Sequence, residues 1–140
     1  MGLAVANLAV AAALAGLIWT IQLVHYPLFA RVGAEGWTAY EAEHQRRITW
    51  LAAPLMLLDV ALATALVLAG GPLGGLRAAG LALAAATFAA TGLVFSPLHG
   101  RLGRAHDPAL IARLVAWNRW RTAAWTARTG LAIWLVLALA

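Results

Sequence analysis

The first apolar run of the chain, Leu3–Val24, has the sequence LAVANLAVAAALAGLIWTIQLV. Only Asn7, Thr20 and Gln22 interrupt it with polar side chains. A helix needs roughly 20 mostly apolar residues to cross a bilayer, so the run predicts a transmembrane helix. A cleaved signal peptide would begin with positive charge and have a shorter apolar segment, and neither feature is present here.

Three further apolar runs predict three more spans, at about residues 49–69, 78–98 and 121–140. The breaker cluster Gly70–Gly75 separates the second span from the third. Alanine and leucine dominate all four runs, which favours helices, and no stretch has the alternating polarity of a half-buried strand. We therefore predict an all-α fold, an integral membrane four-helix bundle that forms a single domain over residues 1–140. No internal repeat is expected.

The composition excludes several classes of protein. It is 64% hydrophobic and 11% charged, which is outside the range of soluble domains. The absence of cysteine excludes disulfides, thiol catalysis and thiolate metal sites. The net charge of +5 comes from arginine without any lysine. Membrane orientation explains this basic balance more simply than nucleic acid does, so we expect no nucleic-acid partner.

The positions of the arginines predict the orientation. Nine of the ten lie in or next to the two long connections or just inside the fourth span, and only Arg77 lies on the other side. Positively charged flanks stay in the cytoplasm. The sequence therefore predicts a multi-pass protein of a bacterial-type inner (plasma) membrane, N-out/C-out, with both long connections in the cytoplasm.

Both long connections are expected to contain helix. Side chains recur at helical spacing through Gly36–Arg47, and this helix is predicted to continue into the second span. In the other connection Asp107 is an N-cap candidate with Pro108 at the first helical position. That pattern predicts a helix leading into the fourth span.

Four histidines gather at the predicted cytoplasmic end. His25, His44 and His99 lie at the ends of spans, and His106 lies in a connection. Glu41 and His44 form a Glu-x-x-His pair on one helix face, a spacing that di-iron bundles use on two helices but that occurs once here. Three hypotheses stay open. The first is one transition metal held by His25, His44, His99 and Glu41. The second is haem between two of the histidines, and the third is a set of interfacial polar residues without a cofactor.

The fourth span carries a polar stripe of Asn118, Arg121, Trp125 and Arg128. A charge as deep as Arg128 normally faces the bundle interior and has a partner. The one acid inside a span is Asp59, at a similar depth of about 10–14 Å. We predict a structural ion pair between Asp59 and Arg128.

Prolines lie near the same end of three spans, at Pro27, Pro54 and Pro97. Proline frees a backbone carbonyl one turn earlier, and membranes tolerate this where neighbours or a polar cavity satisfy the group. The three prolines have two interpretations. They indicate either a polar cavity that opens at the cytoplasmic end or ordinary helix kinks.

The segment Trp117–Ala123 (Trp-Asn-Arg-Trp-Arg-Thr-Ala), preceded by Ser96–Leu102, resembles the second half of the anthrone-oxygenase-like family of four-span membrane proteins. The resemblance implies a site lined by Asn118, Arg121 and His99, and oxidation of aromatic polyketides in some members. A second resemblance is to HemJ-type protoporphyrinogen oxidases, through Arg47-Ile48 and Pro54-Leu55-Met56. This chain lacks the early histidine and the lysine expected in that family.

These patterns lead to a functional hypothesis of redox or oxygenation chemistry on a lipophilic small molecule that enters from the bilayer. His25, His99, Asn118 and Arg121 are the candidate catalytic residues, and His25, His44 and His99 are the candidate cofactor-binding residues. The alternative is a non-catalytic accessory subunit that binds membrane lipids or a partner, since arginine-rich connections attract anionic headgroups. A proton-coupled transporter is a third hypothesis, and a homo-oligomer is compatible with all three.

Overall fold

The computed structural model describes residues 1–140 and contains four helices long and apolar enough to cross a membrane. They are α1 (Gly2–Phe29), α2 (Ala34–Leu68), α3 (Gly74–Leu102) and α4 (Pro108–Leu139). There are no strands. The all-α membrane four-helix bundle predicted from the apolar runs is therefore confirmed.

Short connections join neighbouring helices and make them antiparallel. The turn between α2 and α3 uses positive φ angles at Gly70 (63°), Gly71 (91°) and Leu73 (64°). Glycine adopts that conformation without the steric cost that a side chain brings. Both termini and this turn lie at one end of the bundle, the terminal end. The connections after α1 and α3 lie at the other, the histidine end.

Both α1 and α3 widen into a π turn immediately before a proline. The turns are Ile21–His25 and Thr91–Phe95. The backbone N–H groups of Tyr26 and Ser96 donate to the carbonyl groups five residues earlier. A wider turn relieves the clash between the proline ring and the preceding turn, and π turns of this kind are frequent at functional sites.

The two π turns reveal a repeat that the sequence analysis missed. Residues 23–28 are Leu-Val-His-Tyr-Pro-Leu and residues 93–98 are Leu-Val-Phe-Ser-Pro-Leu. Each motif begins within the π turn of its helix, so α1–α2 and α3–α4 are two helical hairpins that share one local structure. Four of the six positions are identical, so the repeat is a short motif at the two π turns.

The second and fourth helices start far outside the apolar runs, as expected. Helix α2 is continuous from Ala34 and contains Pro54 in its interior. Helix α4 begins at Pro108, and the Asp107 carboxylate accepts a hydrogen bond from the backbone N–H of Leu110 at 2.9 Å. This cap satisfies one of the backbone donors left free at a helix N-terminus.

Three buried polar side chains form a hydrogen-bonded cluster toward the terminal end. Arg128 Nη2 donates to Asp59 Oδ1 at 2.9 Å and to Asn7 Oδ1 at 2.8 Å, and Asn7 Nδ2 donates to Asp59 at 3.2 Å. All three side chains are at most 2% exposed. Gly80 of α3 faces the guanidinium, whose Nη1 would lie 3.7 Å from a Cβ at that position. The expected ion pair is present, with Asn7 as a third member that joins α1 to α2 and α4.

The orientation of the bundle stays a prediction, and cysteine labelling tests it. A cysteine at Ala105 should resist an impermeant thiol reagent in intact cells, because the arginine excess places that connection in the cytoplasm. A cysteine at Gly74 should react. Labelling of both positions after permeabilisation is the control, and the reverse pattern in intact cells would invert the topology.

Candidate functional site

Three histidines from three helices meet at the histidine end. His25 Nε2 lies 2.8 Å from His44 Nδ1, and their ring centroids are 4.6 Å apart. The ring of His99 lies 5.2 Å from that of His44. Alternating helix direction brings these ends together, as the sequence analysis expected. His106 is separate from this group and packs against Trp37.

The core of the site is a carboxylate–imidazole–phenol relay. Glu41 Oε1 lies 2.6 Å from His99 Nδ1, and His99 Nε2 lies 2.8 Å from the Tyr26 hydroxyl. Glu41 is 0%, Tyr26 2% and His99 8% exposed. When Glu41 is ionised it can only accept, so His99 then donates through Nδ1 and its Nε2 accepts the Tyr26 proton. The geometry thus gives the arrangement of an imidazole that is oriented by a carboxylate.

Gln45 fixes the relay from one side. Its Nε2 donates to the His99 carbonyl at 3.0 Å and to Glu41 Oε1 at 3.3 Å. Glu41 Oε2 is buried without a hydrogen-bond partner. The carboxylate therefore directs its interactions to His99 and Gln45 through a single oxygen.

A positive charge lies on the other side of Tyr26. Arg121 Nη2 donates to the Tyr26 hydroxyl at 3.4 Å, and Arg121 Nε donates to Asn118 Oδ1 at 2.9 Å. Asn118 Nδ2 in turn donates to Gln22 Oε1 at 2.9 Å. The guanidinium carbon lies 4.0 Å from the ring centroid of Phe95. Asn118 and Phe95 hold the guanidinium in place, and its Nη1 makes no hydrogen bond within the protein.

A cavity of about 280 Å³ lies between the four helices, and its polar end is lined by Tyr26, His44, Gln45, His99 and Arg121. Its other walls are mostly apolar, with Met56, Phe88 and Trp125 among them. Thr49 of α2 and Phe88, Gly92 and Ser96 of α3 line the cavity and are exposed. The cavity therefore opens sideways between α2 and α3, beside the π turn of α3.

The geometry gives no support to the metal and haem hypotheses. No group of three or more histidine or carboxylate side chains is arranged to hold a metal ion. His25 and His44 are bonded to each other, and both ring nitrogens of His99 are bonded to protein groups. A ligand set of His25, His44, His99 and Glu41 would have to break these contacts, and no space separates the first two rings for a porphyrin. The residues present do not fit either cofactor.

Sequence reasoning placed Arg121 and Asn118 in the site but underestimated Tyr26 and Gln45. Neither Tyr26 nor Gln45 was assigned a role from the sequence. In the structure the π turn directs His25 to α2 while Tyr26 contacts α3 and α4. The tyrosine directly before Pro27 was the available signal, because a proline-associated π turn changes the helical phase.

No protein-family model, curated protein sequence or solved structure matches this chain.

Proposed function

We propose that this chain is a membrane enzyme that binds a lipophilic small molecule with a weakly acidic oxygen and removes its proton. The observation that supports the proposal is the buried Glu41–His99–Tyr26 relay beside Arg121, at the polar end of an otherwise apolar cavity. An imidazole oriented by a carboxylate is a common general base, and a fixed guanidinium stabilises developing negative charge on oxygen.

The proton transfer is written with the groups present. The substrate O–H donates to the oxygen of Tyr26 while the Tyr26 proton moves to His99 Nε2. The products are a substrate oxyanion, a neutral Tyr26 and an imidazolium. Glu41 balances the imidazolium, and Arg121, through its uncommitted Nη1, balances the oxyanion. Asn118 acts as a positioning residue because it holds Arg121 and does not reach the relay itself.

The cavity limits the class of substrate. Its volume of about 280 Å³ is just below the ~300–1,000 Å³ typical of small-molecule sites. The apolar walls and the opening between α2 and α3 suit a compact aromatic molecule that arrives from the membrane. Oxygenation, which the anthrone-oxygenase resemblance implies, would begin with this proton removal and would then need molecular oxygen as the oxidant.

Both nitrogens of His99 are bonded to Glu41 and Tyr26, so its proton reaches His44 only through the cavity, which His44 lines, and then passes to His25. His44 lines both the cavity and a groove between α1 and α2, and His25 lines that groove. Each ring accepts a proton on one nitrogen and releases one from the other. With the orientation predicted from the arginines, this route leads to the cytoplasmic side.

The route predicts an effect on the exchange of the His99 ring proton. His44→Phe should slow its exchange with solvent about tenfold or more, as measured by nuclear magnetic resonance of histidine-labelled protein, because the neighbouring imidazole is lost. His106→Phe is the matched control and should leave exchange unchanged. Equal exchange rates in His44→Phe and in the unmodified protein would rule out the route.

Binding of 2-naphthol tests the proposed function, since this compact phenol has the expected chemistry. Arg121→Gln should weaken binding to the protein in detergent about tenfold, because one hydrogen bond to a charged group contributes roughly 1.5–3 kcal/mol. Arg113→Gln removes the same charge from an exposed position on α4, and this variant should bind 2-naphthol as the unmodified protein does. Equal affinities of the two variants would reject the site. Binding with no proton transfer would instead favour the accessory subunit.

A further inference from the structure

A second site lies on the opposite side of Tyr26, in a groove between α1 and α4. Two adjoining hollows of about 460 and 370 Å³ make up this groove. They share Pro27, Val115 and Arg119, so they form one continuous channel along the bundle surface. We name it the α1–α4 groove.

Small side chains create the groove. On α4, Ala112, Ala116 and Ala123 line it, and all three are exposed. They share a face with Arg119 at helical spacings of three, four and seven residues. On α1, Pro27 follows the π turn and lines the same hollow. The surface therefore recedes where these two helices run past each other, and an unfilled hollow of this size would lose packing contacts.

Charge distinguishes the groove from an ordinary lipid-facing crevice. Arg119 is the one arginine that lines it, at the junction of the two hollows, and no carboxylate lines either hollow. His106 lies at the end nearest the connections. The neighbouring Asp107 is committed to the cap of α4. The opposite end has Gln22 and Thr122 among its lining but a mostly apolar surface, and it is bounded by Trp19, whose indole donates to Thr126.

We propose that the α1–α4 groove binds one anionic phospholipid. Its phosphate contacts Arg119 and its headgroup extends toward His106. One acyl chain lies over Val115 and Ala123 toward Trp19. The charged part of the groove thus faces the phosphate, and the part lined by small and apolar side chains faces the acyl chain. A bidentate guanidinium is well suited to phosphate.

The site does not depend on the proposed enzyme function, although it touches the same residues. Tyr26 and Gln22 line the groove and also belong to the hydrogen-bonded network of the cavity. A bound lipid would therefore pack against the back of that network.

Brominated lipids test this proposal because bromine quenches nearby tryptophan. Brominated phosphatidylglycerol or phosphatidylcholine is added to the protein in detergent, and the Trp19 contribution is obtained by subtracting the signal of Trp19→Phe. Phosphatidylglycerol should quench Trp19 at about tenfold lower concentration than phosphatidylcholine. Arg119→Gln should abolish that difference, and Arg113→Gln should preserve it.

A second variant tests the acyl-chain position. Ala116→Leu should fill the groove and weaken quenching of Trp19 by both lipids, while Trp134, exposed elsewhere on α4, should be quenched as before. The proposal is overturned if both lipids quench Trp19 equally in the unmodified protein. It is also overturned if Arg113→Gln has the effect expected of Arg119→Gln, because the charges would then act diffusely.

Discussion

Replacing Asp59 with Asn, or Arg128 with Gln, is expected to lower the free energy of unfolding by about 3–5 kcal/mol. Each substitution leaves the other charge buried, since both side chains are at most 1% exposed and their nearest atoms lie 2.9 Å apart. The double variant should lose less than the sum of the two single losses, because it leaves no unpaired charge. Thermal and denaturant unfolding in detergent measures all three.

A control double-mutant cycle shows whether the coupling between Asp59 and Arg128 is specific to that pair. Thr129 donates to the Ala11 and Trp125 carbonyls and makes no hydrogen bond to Asp59, so Thr129→Val combined with Asp59→Asn should be additive. Additive losses for Asp59 and Arg128 themselves would mean that the ion pair does not form in the folded protein.

Removing His99 is expected to destabilise the protein more than removing Glu41. The proposed relay requires an ionised Glu41, and His99→Ala then leaves that carboxylate with no exposed surface and only Gln45 as a partner, which costs about 3–5 kcal/mol. Glu41→Ala leaves a neutral imidazole with one unsatisfied nitrogen, at about 1–3 kcal/mol. Unfolding of both variants in detergent at neutral pH measures the difference.

The comparison tests the charge state on which the relay depends. Glu41→Gln is the conservative control, since its amide oxygen still accepts from His99 and should restore most of the stability lost in Glu41→Ala. Equal losses for His99→Ala and Glu41→Ala would indicate a protonated, neutral Glu41. His99 would then lack the carboxylate that makes it a base.

The fold could be predicted because span length and apolar composition constrain it strongly. Four runs of about 20 apolar residues allow few arrangements other than an antiparallel bundle. Depth alone identified Asp59 and Arg128 as partners, because unpaired charges are costly in the interior. Asn7 was not identified, since an uncharged amide can be satisfied by many groups and its depth does not name a partner.

The position of the candidate site could be predicted from the sequence, but the hydrogen bonds between its side chains could not. Alternating helix direction brought His25, His44 and His99 together, and nothing more than topology was needed. The bonding of His99 to Tyr26 depends on the π turn of α1, which apolar periodicity does not reveal. The geometry gives the metal hypothesis no support for a related reason. Residue spacing identifies nitrogen and oxygen donors, but it does not show that those donors are already bonded to one another.

The absorption spectrum of bound 2-naphthol tests the central claim most directly. Free 2-naphthol is protonated at neutral pH, and its oxyanion absorbs at longer wavelength than either naphthol or tryptophan. The proposed function predicts the naphtholate band in the complex with the unmodified protein, and its loss in His99→Ala and in Tyr26→Phe with folding verified by circular dichroism. His106→Phe should retain the band. Naphthol bound to the unmodified protein in its neutral form would contradict the proposed proton transfer.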